Sequence, residues 1–88
     1  MRTINMHKKI LRLPEVKARS GYSRSTIYLR ISQGLWTKPI KLGKRCVGWT
    51  ADEVETLNGA RIEGKTDKEI RAIVTKLETS RKTAMKGA

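Results

Sequence analysis

Ser23-Arg24-Ser25-Thr26-Ile27-Tyr28-Leu29-Arg30-Ile31-Ser32-Gln33-Gly34, followed after a short gap by Lys38-Pro39-Ile40-Lys41-Leu42-Gly43-Lys44-Arg45, is the stretch that decides the fold. Ser23 suits an N-cap, because its hydroxyl oxygen can accept from the otherwise unpaired amides of a helix's first turn. Ile27, Ile31 and Leu35 recur at i, i+4 and i+8, a narrow apolar stripe for one core-facing side. Gly34 is placed to cap the C-terminus. The spacing predicts a helix from Ser23 to about Gln33. The period then changes from helical to alternating. Ile40 and Leu42 alternate with charged residues, and Val47 and Trp49 resume the alternation. Gly43-Lys44 suits a two-residue turn with glycine first, and Pro39 belongs at a strand start. A β-hairpin over Lys38 to Trp49 is expected.

Upstream, Pro14 at a helix start, Glu15 at the positive end of the dipole and Gly21 as a cap outline a first helix over 14–20. Val16 and Ala18 would be its short apolar face, and Ile10–Leu13 alternates weakly enough to be a short strand. Two helices joined by a glycine-containing turn make a helix-turn-helix candidate. Downstream stand two capping boxes. Thr50-Ala51-Asp52-Glu53 opens a third helix, with Trp49 and Val54 as a hydrophobic staple, ending before Gly64. Thr66-Asp67-Lys68-Glu69 opens a fourth, whose Ile70, Ile73, Val74 and Leu77 share one face. That stripe is apolar enough to dock on the core or to pair with another chain. The expected organisation is a flexible basic N-terminus over 1–9, a winged helix-turn-helix domain over 10–62, an amphipathic C-terminal helix over 63–80 and a ragged tail over 81–88.

Charge divides the chain in two. Residues 1–50 hold twelve Lys or Arg against one acid, Glu15, for +11, whereas residues 51–88 hold eight against seven, for +1. A basic head on a nearly neutral tail favours a polyanionic partner, since released counterions drive association with phosphate backbones. Eighty-eight residues allow one domain with a modest core. Phe is absent and only four aromatics are present, so Ile, Leu and Val must fill that core, with Trp36 and Trp49 as anchors rather than base-stacking platforms.

Catalysis is not indicated. The acids fall mainly on first turns of helices, where capping and dipole interactions account for them, and no nucleophile–base pair or metal-ligand cluster stands out. No cofactor is expected. Cys46 is alone, so it reads as a small buried hydrophobe, and His7 reads as a bystander near the N-terminus. No apolar run approaches the roughly 20 residues of a membrane span, and no signal peptide is visible. A cytoplasmic, nucleoid-associated setting is the expectation.

Candidate contacts follow from the helix and the hairpin. Arg24, Ser25, Thr26, Tyr28 and Arg30 lie off the Ile27/Ile31 stripe and carry the chemistry of a recognition helix: Arg can grip guanine with two hydrogen bonds, hydroxyls bond bases or phosphates. Lys41, Lys44 and Arg45 lie on or beside the hairpin tip, where a cationic wing would neutralise phosphates or enter a narrow minor groove. A solvated face and a lysine-protected edge strand are the plainer readings of the same residues.

Leu11-Arg12-Leu13-Pro14-Glu15-Val16, Gly21 through Tyr28, and Lys38 through Gly43 with Val47-Gly48-Trp49 resemble the AlpA family of prophage regulators, over about residues 10–62. The resemblance implies a winged helix-turn-helix of the excisionase-like type, related to the MerR DNA-binding domain: mainly α with a small β-hairpin, here followed by an extra helix. It implies a duplex-DNA-binding transcriptional regulator, or an excisionase that biases a recombinase (an integrase) toward excision. The family commonly has arginine directly after the tyrosine, where this chain has Leu29 and then Arg30. It often has Phe-Pro after the helix glycine, where this chain has Leu35-Trp36-Thr37. Self-association through the last helix is a further expectation. Two other readings of the charge and that helix stay open: an RNA-binding or ribosome-associated basic protein, and a protein-interaction module.

Overall fold

The computed structural model describes residues 9–87, with side chains as far as Arg81; residues 1–8, His7 among them, and Ala88 lie outside it. Its elements run β1 (Ile10–Arg12), α1 (Leu13–Ser20), α2 (Arg24–Ser32), β2 (Ile40–Gly43), β3 (Cys46–Thr50), α3 (Ala51–Ile62) and α4 (Asp67–Gly87). The fold is mostly helical with one small antiparallel sheet, the arrangement of a winged helix-turn-helix. The hairpin gains a third strand: the order is β1-β3-β2, with Leu11 opposite Trp49 and Lys41 opposite Val47.

The expected helix signals operate at their stated positions. Ser23 Oγ accepts from the Thr26 amide at 3.2 Å. At the other end of α2, the Gly34 amide bonds Ile31 O at 3.0 Å and the Leu35 amide bonds Arg30 O at 2.8 Å. Gly34 takes φ +78°, the left-handed turn that this double closure requires. The Thr66/Glu69 box forms reciprocally, at 3.2 and 2.9 Å. The Thr66 amide holds the Glu69 carboxyl below the ordinary carboxylate range. That cap is therefore complete at neutral pH and is lost only as pH falls through the lowered value.

Several local expectations are corrected. The turn is Lys44-Arg45, one residue beyond Gly43-Lys44, and Gly43 closes β2 opposite Cys46. Neither turn residue has positive φ. The register slips by one between Lys41 and Gly43, and such a bulge adds the twist that an ordinary turn withholds. Ala18 is exposed, and Leu13 joins Val16 against the core instead. Cys46 is half-buried rather than buried. The helix α4 continues to Gly87, past residue 80.

Leu11, Val16, Ile27, Trp36, Trp49, Val54 and Leu57 form the core, with both tryptophans and the Trp49/Val54 staple fully enclosed. Ile70 and Val74 of α4 are buried in the same cluster, with Ile73 and Leu77 packed at its edge. The apolar stripe of the last helix is thus used within the chain. Gly48 lies where β3 is most closely flanked. A Cβ there would meet Ile10 Cγ2 at 2.7 Å, Leu11 O at 2.8 Å and Leu42 Cδ1 at 3.0 Å.

The Thr50/Glu53 capping box forms by half. Thr50 Oγ1 accepts from the Glu53 amide at 3.1 Å, but the buried Glu53 carboxylate turns to Arg81. Arg81 Nε and Nη2 donate to its two oxygens at 2.6 and 2.7 Å, and the Thr37 hydroxyl donates to Oε1 at 3.3 Å. Arg81 Nη2 also donates to Lys38 O at 2.7 Å, while the Lys38 amide donates to Glu78 at 2.8 Å. Trp49 Nε1 donates to Thr37 O at 2.8 Å, and Arg71 Nε to Gln33 O at 2.8 Å. The irregular segment 33–39 between α2 and β2 is therefore gripped along its backbone by α4.

Two outcomes are expected. Gly48→Ala should cost about 1–3 kcal/mol, because the close contact is partly with backbone; an unchanged melting temperature would contradict the packing. Glu53→Ala should cost about 3–5 kcal/mol by leaving Arg81 uncompensated, whereas Glu53→Leu with Arg81→Met should lose less than the two single losses combined. Simple additivity in a urea-melt double-mutant cycle would remove the buried pair from the account.

Candidate nucleic-acid interface

α2 is a nine-residue helix whose core side is set by Ile27 and Ile31. At about 100° per residue, the point directly opposite that stripe is Leu29, with Ser25 and Ser32 above and below it. Leu29 is 55% exposed, and Ser25 and Ser32 are exposed beside it. The outward surface of the helix is therefore a low central ridge of one leucine and two serines.

Longer side chains flank that ridge. On one side the Arg24 guanidinium lies over the Tyr28 ring, 5.3 Å from its centroid. Tyr28 is half-buried, part way between core and solvent. On the other side Arg30 lies over Tyr22 at 5.6 Å, where Arg61 also stacks at 4.1 Å and Trp36 packs edge-on at 5.8 Å. Arg61 is fixed there by Ser20 O at 2.9 Å and Asn58 Oδ1 at 3.1 Å. Arg24 and Arg30 thus stand about 120° apart around the helix, each drawn to a different tyrosine. Thr26 is half-buried, and its hydroxyl accepts from the Ser23 hydroxyl at 3.0 Å, so it serves the helix start.

The second cationic group is the wing. Lys41 projects from β2, and Lys44 and Arg45 form the turn; all three are exposed. Among the described residues, the ion pairs to carboxylates are made by Arg19, Lys65 and Arg81 and not by Arg24, Arg30, Lys41, Lys44 or Arg45. Cations left without carboxylates in the basic half of a chain are available to phosphates. Arg61, Arg71 and Arg81 were not marked by the sequence as functional. Apart from Asn58 beside Arg61, the partners named here lie 28 to 43 residues away in the chain, and only the folded structure brings them together.

A two-helix unit joined to a cationic wing defines a winged helix-turn-helix protein. The chain belongs to the family of the prophage CP4-57 regulatory protein (AlpA), which it matches over residues 9–57, more than half its length. That family comprises phage regulatory DNA-binding proteins rather than enzymes. The chain is also 40% identical over 58 residues to an uncharacterized protein, ORF88, of enterobacteria phage P4. The match spans 66% of this chain and 66% of that protein, just under two thirds. No solved structure matches the chain. Among the described residues no helix is long and apolar enough to cross a membrane.

Proposed function

We propose that this protein binds specific duplex DNA at a promoter or attachment site of a mobile element, as a transcriptional regulator, an excisionase, or both. The observation that supports the reading is a short capped helix with exposed arginine and serine side chains, followed in the chain by an exposed turn whose cations pair with no carboxylate, within a half-chain of charge +11. Helix α2 enters the major groove, which admits one α-helix. Arg24 and Ser25, at its N-terminal end, reach base edges. Tyr28 and Arg30, on the two flanks, contact backbone phosphates beside the groove. Lys41, Lys44 and Arg45 take phosphates through the wing, with Lys44 and Arg45 at the tip nearest the adjacent minor groove.

The competing readings fit less well. RNA recognition favours exposed aromatic platforms, whereas both tryptophans here are in the core. An interaction module built on the last helix would need the Ile70/Val74 stripe, which is buried against the same chain. As an excisionase the protein would work with a site-specific recombinase. That role is separable from regulation: excisionase activity stimulates integrase-dependent excision in a purified reaction, while a regulator changes promoter output with no integrase present.

Nuclease footprinting on the DNA flanking the protein's own coding sequence should reveal a protected site. On that site Arg24→Ala should cost roughly 1–3 kcal/mol and relax base preference at one position. Lys44→Ala should weaken binding to all sequences alike and lower the salt slope by about one. Equal affinity of the parent and both variants in gel-shift titrations would overturn the assignment.

A further inference from the structure

We infer that Leu29 is a specificity-determining residue that reads the 5-methyl group of a thymine; the inference rests on the proposed docking of α2 in the major groove. Leu29 is the large side chain lying directly opposite the core-facing stripe of buried Ile27 and half-buried Ile31, and it is 55% exposed. Its neighbours along the ridge, Ser25 and Ser32, are short, so Leu29 projects beyond them. The Ser32 hydroxyl is turned back onto Leu29 O at 2.7 Å, which leaves the leucine uncovered. A helix inserted on this face brings Leu29 to the base edges before any other aliphatic group.

The floor of the major groove is almost wholly polar. It presents acceptors on guanine, adenine and thymine and amino donors on adenine and cytosine; the thymine methyl is its one apolar feature. An isobutyl group pressed on the polar edges strips water from donors and acceptors and returns no hydrogen bond, which is costly. Pressed on a thymine methyl, it removes apolar surface from water on both partners. The same side chain therefore penalises most bases at one position and rewards thymine. Arg24, about 140° away around the helix, reads a different part of the site.

The test begins with selection of a binding site from a random duplex library by the parent chain. Each thymine of that site is then replaced by deoxyuridine, which removes the methyl and leaves pairing intact. Affinity of the parent should fall about fourfold at one thymine, the value of one buried methyl-sized group. Affinity of Leu29→Ala should be indifferent to the same replacement, and repeating the selection with Leu29→Ala should lose the thymine preference there. Thermal melts should show both proteins equally folded, since Leu29 packs on nothing in the core. Indifference of the parent at every thymine, or an equal loss in Leu29→Ala, would overturn the role of Leu29 while leaving DNA binding standing. Failure of the parent to enrich any duplex would overturn both.

Discussion

The geometry of this molecule depends on how the irregular segment between α2 and β2 satisfies its backbone. A helix can close its own hydrogen bonds and so can a sheet, but residues 33–39 belong to neither. Left free, they would let the wing swing relative to α2. The chain answers with side chains from two other elements. Arg71 takes Gln33 O, Trp49 takes Thr37 O, and Arg81 and Glu78 take the two polar groups of Lys38. Glu53 stands at the centre, buried, with Arg81 on both oxygens and Thr37 on one. Such a pair adds little net stability over an apolar replacement, but its geometry is far more specific.

Two surfaces of opposite character result. Helix α4 lays its apolar stripe on the core and bonds the linker through Arg71, Glu78 and Arg81, so it is an internal brace. The α2 and wing residues keep their cations clear of carboxylates. Stacking on Tyr28 and Tyr22 holds Arg24 and Arg30 without neutralising them, a modest attraction that leaves the hydrogen-bond donors free. Cations fixed in this way lose less freedom on meeting phosphate than extended, mobile ones.

Most of the fold could be read locally. The Ser23, Thr50 and Thr66 caps, the left-handed Gly21 and Gly34 and the strand through Val47-Gly48-Trp49 are each decided within a few residues, and each appears in the structure. Burial along that hairpin, however, does not alternate as expected: Gly48 and Trp49 are both buried and Leu42 is exposed. What was not legible depends on distance in the chain. Glu53 carries the signature of a capping box, and nothing nearby says that its carboxylate faces Arg81 instead. Arg81 looks like one more cation in a polar tail until the fold brings it to Lys38. Gly43 points to a turn one residue early because glycine favours positive φ, whereas a bulge between Lys41 and Gly43 supplies the twist. In the interface, the residue types were legible and their directions were not. Arg24 and Arg30 read as equivalent arginines, yet they sit on different flanks, and Leu29 reads only as a departure from the family pattern until it is seen at the apex of the ridge.

The central claim is that α2 and the wing form one DNA-binding face, braced from behind by an α4 that does not touch DNA. Titration of the ¹⁵N-labelled chain with a cognate duplex tests it directly by NMR. Amide shifts concentrated at Ser25, Leu29, Lys41, Lys44 and Arg45 are expected, with the Trp49 indole signal and the amides of Ile70 through Leu77 unmoved. Shifts centred on α4, with the outward face of α2 silent, would contradict it.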